Sequence, residues 1–96
     1  MQFMTVFTYE PAHRNEVIKR RLESGAAMPA GLKKLGEWSY VGSGKVFTLV
    51  EVTDPMAAFE ATRAWSDLGK LEMYPVLETE RILPALASSV LAVGLK

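Results

Sequence analysis

Apolar residues recur along this chain with two alternating periods, every second position in some runs and every third or fourth in others. Gln2 to Tyr9 carries Phe3, Met4, Val6, Phe7 and Tyr9 with Thr5 and Thr8. Aromatic, β-branched and apolar residues on both faces predict a central strand covered on both sides. Pro11 suits the first turn of a helix, Val17, Ile18, Arg21 and Leu22 follow at helical spacing, and Gly25 is a natural stop. The spacing predicts a helix over roughly 12–24. Residues 25–32 form a loop with Gly and Pro punctuation. Lys33 to Val41 reads as a strand through Leu35, Trp38, Tyr40 and Val41, and Lys45 to Val52 as another through Val46, Phe47, Leu49 and Val50. The short Gly42-Ser43-Gly44 turn between them makes a hairpin. Asp54 is a good N-cap and Pro55 a good first helical residue. With Ala58, Phe59, Thr62 and Trp65 at helical spacing, they predict a helix over 55–67. Leu71 to Leu77 is a fourth strand, which Pro75 directs to an edge or an end. A last helix is expected from near Pro84 to about Val93, as an appendage over roughly 83–94.

The order β-α-β-β-α-β plus a C-terminal helix specifies an α+β, ferredoxin-like fold. Right-handed crossovers place both helices on one face of a four-stranded antiparallel sheet. The other face has no cover within the chain. It presents either Phe3, Thr5, Phe7 and Tyr9 or Met4, Val6 and Thr8, neither set suited to water. A second copy laid against it gives a closed two-fold homodimer, the smallest of the homo-oligomers open to it, with a cavity between the sheets. Length points the same way. The 96 residues make a single domain with a modest core, yet 49% are apolar, so part of that surface is expected to meet a partner chain.

Charge and cysteine content narrow the functions. Eleven basic residues balance eleven acidic ones. The run Lys19-Arg20-Arg21, flanked by Glu16 and Glu23, reads as a solvated helix face, so no nucleic-acid partner is expected. The chain has no cysteine, which excludes disulfides, Cys-ligated metals and thiol catalysis. The Met1-Gln2-Phe3-Met4 opening leads into a strand with no signal-peptide pattern, and Ile82 to Leu95 is too short to span a bilayer. A cytoplasmic protein with no membrane partner is expected.

Several stretches together resemble a known family. They are Met1-Gln2-Phe3-Met4, Pro11-Ala12-His13-Arg14, Gly36-Glu37-Trp38, Phe47 to Glu51, Trp65-Ser66-Asp67-Leu68 and Pro75-Val76-Leu77, covering residues 1 to about 78. In these the chain is similar to the domains grouped as DUF3303, within the dimeric α/β-barrel superfamily. That superfamily includes cofactor-free monooxygenases, lactone isomerases, haem-degrading enzymes and stress-response proteins. The resemblance implies the fold and the dimer, and no particular activity. Many relatives carry a histidine directly after the second-strand tryptophan; Ser39 stands there in this chain.

No catalytic constellation is legible. His13, the only histidine, sits near a helix N-terminus and reads first as a solvent-facing side chain. No HxH, HExxH or DxD spacing occurs, so neither a metal nor another cofactor is expected. Gly42-Ser43-Gly44 precedes a strand and lacks the helix N-terminus of a phosphate-binding loop. Ser66-Asp67 has no base beside it and reads as a polar helix end. Glu51 and Glu72 interrupt apolar strands. Facing solvent they are ordinary strand-end residues; facing an inter-sheet cavity they become candidate bases. Alternation groups Phe47 and Leu49 with Glu51, and Tyr74 with Glu72. The candidate ligand-binding set is therefore Thr5, Phe7, Trp38, Phe47, Glu51, Glu72 and Tyr74, with the Thr5 and Tyr74 hydroxyls orienting the ligand. Trp65 lies on the apolar stripe of its helix and is expected in the core. Two functions follow: binding of an apolar or aromatic small molecule between two sheets, with or without catalysis, or a non-catalytic regulatory or interaction module whose apolar face serves oligomerisation only.

Overall fold

The computed structural model describes residues 1–25 and 28–93. Ala26 and Ala27 of the expected 25–32 loop, and Gly94 at the end of the expected last helix, lie outside the described residues. The elements run β1 (Gln2–Tyr9), α1 (Arg14–Ser24) after a 3-10 turn at Pro11–His13, β2 (Leu32–Ser39), β3 (Lys45–Val52), α2 (Pro55–Ala64), β4 (Gly69–Pro75) and α3 (Thr79–Val93). The sheet order is β2-β3-β1-β4, with every neighbouring pair antiparallel. This is the ferredoxin-like α+β arrangement with a helix appended. β1 and β3 are central, and the proline-bearing β4 is an edge strand, where a missing N–H costs no ladder bond.

Local chemistry accounts for most boundaries. The β2–β3 loop closes through Tyr40 N–H to the Lys45 carbonyl (2.9 Å) and Ser43 N–H to the Tyr40 carbonyl (2.9 Å). Ser43 (φ 71°) and Gly44 (φ 91°) take the left-handed geometry that returns the chain. Asp54 caps α2 by accepting from the Met56 N–H at 3.0 Å. α2 stops at Ala64, three residues before the expected end. There Trp65 turns onto Phe7, at 5.6 Å between ring centroids, and Arg20 of α1 grips Asp67 through two 2.8 Å hydrogen bonds. The same guanidinium lies 5.3 Å over the Trp65 ring. Arg20 thus locks α1 to the α2–β4 turn, so it is not simply part of a solvated helix face, and Asp67 is more than a polar helix end.

α3 also departs from expectation. It begins at Thr79, so Pro84 lies inside it instead of opening it. An interior proline leaves the carbonyl four residues earlier without its helical donor. That carbonyl belongs to Glu80, an exposed residue where water can replace the bond. Glu80 itself stands in the first turn, where its charge opposes the helix dipole. Leu83, Leu86, Val90 and Leu91 of α3 are exposed.

Register decides which residues face the helices. Thr5 pairs with Thr48 and Met73, and Phe7 with Val46 and Leu71. Burial of Thr5, Phe7, Thr48, Val50 and Val52 puts this set on the helix side. One small core joins Phe7, Val17 and Leu68, with Tyr9, Val46, Trp65 and Leu71 packed around it. Val50, Val52 and Ala57 are buried elsewhere in the layer. The opposite face carries Met4 and Val6 of β1, Phe47, Leu49 and Glu51 of β3, and Glu72 and Tyr74 of β4, by alternation from the same register. On β2 a register shift between Lys34 and Gly36 re-phases the strand, which brings Trp38 opposite Phe47 on this open face. Trp38 and Tyr74 are 55% and 48% exposed there, so the sheet leaves a large aromatic surface without cover.

Candidate functional site

Of the seven candidate ligand-binding residues, the structure gathers five on the open face and two on the other. Trp38, Phe47, Glu51, Glu72 and Tyr74 share the open face with Met4, Val6 and Leu49. Thr5 and Phe7 point the opposite way, toward the helices, and the sheet separates them from the rest. The expectation that they line one wall with Phe47 and Tyr74 is corrected here. A strand with apolar residues at both parities has no alternation signal of its own; only the placement of α1 and α2 decides which set turns inward.

On the open face the Tyr74 hydroxyl donates to the Glu72 carboxylate. That bond, with some desolvation and the neighbouring negative charge, raises the tyrosine pKa above its ordinary value. Spectrophotometric titration should therefore show a tyrosine ionising above the ordinary tyrosine range, and Glu72→Gln should return it toward that range. A native protein with no such late ionisation, or one in which Glu72→Gln leaves it in place, would contradict the pair. Glu51 Oε1 lies 2.7 Å from the Met1 nitrogen at the border of the same face. Trp38 folds back over Gly36, where any Cβ would come within 2.6 Å of the indole. His13 is exposed at the start of α1. Among the described residues no three His, Asp or Glu side chains converge as a metal site, and no helix is long and apolar enough to cross a membrane.

The helix side holds what sequence reasoning missed. Between the sheet and the two helices lies a cavity of about 620 Å³. Its floor is Thr5, Phe7, Thr48 and Val50 of the two central strands; its walls include Val17 of α1, Ala61 of α2, Trp65 and Met73. Arg21 and Glu37 also line it. α1 stands off the sheet, so that Ile18 and Leu22, expected on its inward stripe, are 38% and 78% exposed. The small alanines of α2 that line it, Ala61 and Ala64, leave the rest of the space.

The space opens to solvent and is not a sealed void, so it carries no penalty of the kind a closed cavity would. Among the described residues the Thr5 and Thr48 hydroxyls have no side-chain hydrogen-bond partner, yet no buried side-chain oxygen is sealed off without one. Both hydroxyls reach the cavity and offer it a donor–acceptor pair on an otherwise apolar floor. The volume falls within the usual 300–1,000 Å³ range of small-molecule sites, roughly, as does the ratio of few polar groups to many apolar ones. The legible signal was Thr5 and Thr48, polar positions inside the apolar runs of the two central strands; the standing-off of α1 had no signal at all.

In comparison with known proteins, the family described as "Domain of unknown function (DUF3303)" matches residues 1–90. No curated protein and no solved structure matches the chain.

Proposed function

The chain belongs to the DUF3303 family, and from that premise we propose that it binds an apolar or aromatic small molecule, held between the sheet and the two helices of one copy. The solvent-reachable cavity of about 620 Å³ carries this reading. It relocates the ligand expected between two sheets, because the buried polar handles, Thr5 and Thr48, lie on the helix side. Phe7 and Trp65 supply aromatic walls at a T-shaped 5.6 Å.

Thermal-shift screening against aromatic metabolites, quinones and haem is the test. A ligand at a hundredfold excess over its Kd should raise Tm by roughly 10–20 °C. Ala61→Phe, which fills the cavity from α2, should abolish that response. No shift from any class, or a shift that survives Ala61→Phe, would sink the reading.

The open face supports a second role, pairing of two copies. Trp38, Phe47, Val6, Met4, Leu49 and Tyr74 form a contiguous apolar centre in register across four strands. Lys45, Lys70 and Lys33 stand in the rows bordering it, the layout of an apolar core with a polar rim. The exposed apolar residues of α3 extend what a partner can cover. Light scattering at micromolar concentration should give twice the monomer mass, and Trp38→Glu should halve it. A native protein of monomer mass would exclude the pairing. If pairing holds and the ligand screen stays empty, the face serves assembly alone and the protein is an interaction module.

A further inference from the structure

Charge at the edge of the cavity narrows the ligand further, an inference that rests on the cavity being a binding site. Arg21 of α1 reaches Glu37 of β2 through Nη2 at 2.9 Å and Nη1 at 3.4 Å. Glu37 is also approached by Lys34 Nζ at 3.6 Å. Two cations thus share one carboxylate. Glu60, the other acid on the cavity lining, is engaged by Arg63 at 2.7 Å. The cluster therefore carries a surplus positive charge, and of its two cations it is Arg21 that lines the cavity.

We propose that the cavity takes an amphiphilic carboxylic acid, with its apolar or aromatic body packed against Phe7 and Trp65 and its carboxylate on Arg21. A planar guanidinium binds a carboxylate through two parallel hydrogen bonds. The incoming group takes over Arg21, while Glu37 keeps Lys34 as its counter-ion. No charge is left bare by the exchange, which is what makes it favourable at a half-exposed site where a new ion pair alone adds little. A neutral ligand gains nothing there, and a cation meets an already cationic cluster. Thr5 and Thr48 at the floor remain available to a hydroxyl or carbonyl on the far end of the same molecule.

The test is isothermal calorimetry with three probes of one ring system: 2-naphthoate, 2-naphthol and protonated 2-naphthylmethylamine. Naphthoate should bind about tenfold more tightly than naphthol, and the amine most weakly. In Arg21→Gln the advantage of the acid should vanish while naphthol affinity is unchanged, which separates loss of the charge contact from loss of the cavity. In Glu37→Gln, where Arg21 has no carboxylate to leave, naphthoate should bind more tightly than in the native protein. Naphthol binding as tightly as naphthoate, or an acid preference that persists in Arg21→Gln, overturns the proposal and leaves the cavity reading standing. Binding of none of the three overturns both.

Discussion

Phe7→Ala is expected to destabilise the protein by about 3 kcal/mol, at the low end of the usual range for buried phenylalanine, roughly 3–5 kcal/mol. Phe7 is 7% exposed and is the largest member of the core cluster with Val17 and Leu68. Its ring meets Trp65 edge-on and Tyr9 at 5.8 Å, so truncation removes aromatic contacts along with buried area. The effect stays at the low end because the vacated volume opens into the existing cavity beside it and leaves no sealed void. For a domain this size the loss corresponds to a fall in Tm of roughly 12–24 °C. Thermal unfolding followed by circular dichroism measures it. Phe7→Leu, which keeps most of the apolar volume, should cost about a third as much. A Phe7→Ala protein melting within a few degrees of the native one would mean that Phe7 does not occupy the centre of the helix–sheet layer.

Gly69→Val is expected to be comparably severe for the opposite reason. Gly69 opens β4 opposite Tyr9. A Cβ built there collides with the Thr8 carbonyl oxygen and lies 2.8 Å from the Phe7 ring. The ring could swing aside, but the carbonyl belongs to a central strand bonded on both sides and cannot move without disturbing two ladders. Overpacking typically costs about 1–3 kcal/mol, and a backbone obstacle places this case at about 3 kcal/mol. The urea midpoint should fall accordingly, with Gly69→Ala already well below native. Adding Phe7→Leu to Gly69→Ala should recover only part of the loss, because it relieves the ring contact and leaves the carbonyl. A midpoint for Gly69→Ala equal to the native value would show that the strand shifts freely at this point.

How much of this was legible beforehand varies by element. The hairpin at Gly42–Gly44, the Asp54–Pro55 start of α2 and the β-α-β-β-α-β order are written in residues whose backbone preferences act locally, so they survive any tertiary context. The ends of elements fared less well. Trp65 continues the helical spacing of α2 but leaves the helix, because its contact with Phe7 and the Arg20–Asp67 pair outweigh one more helical turn. Pro84 looks like a helix opener, yet Thr79, Glu80 and Arg81 extend α3 ahead of it. The candidate site divided along the same line. Glu51, Glu72, Phe47, Tyr74 and Trp38 share a face because strand parity and register place them there, and on β4 and β3 parity was readable. Thr5 and Phe7 were assigned to the wrong side, since β1 is apolar at both parities.

By itself, then, the sequence determined the set of elements, their order, the four-stranded antiparallel sheet and the presence of an uncovered apolar face. These follow from short-range physics: turn geometry, caps, periodicity and the short length of the chain. Only the tertiary structure decided which face of β1 turns inward, that α1 stands off the sheet, and that Thr5, Thr48, Arg21 and Glu37 meet around one cavity. Those residues lie on three strands and a helix, 16 to 43 positions apart in the sharpest cases. No local preference couples them. Their convergence depends on how far the helix layer rests from the sheet, and that distance is set by every side chain between the layers at once.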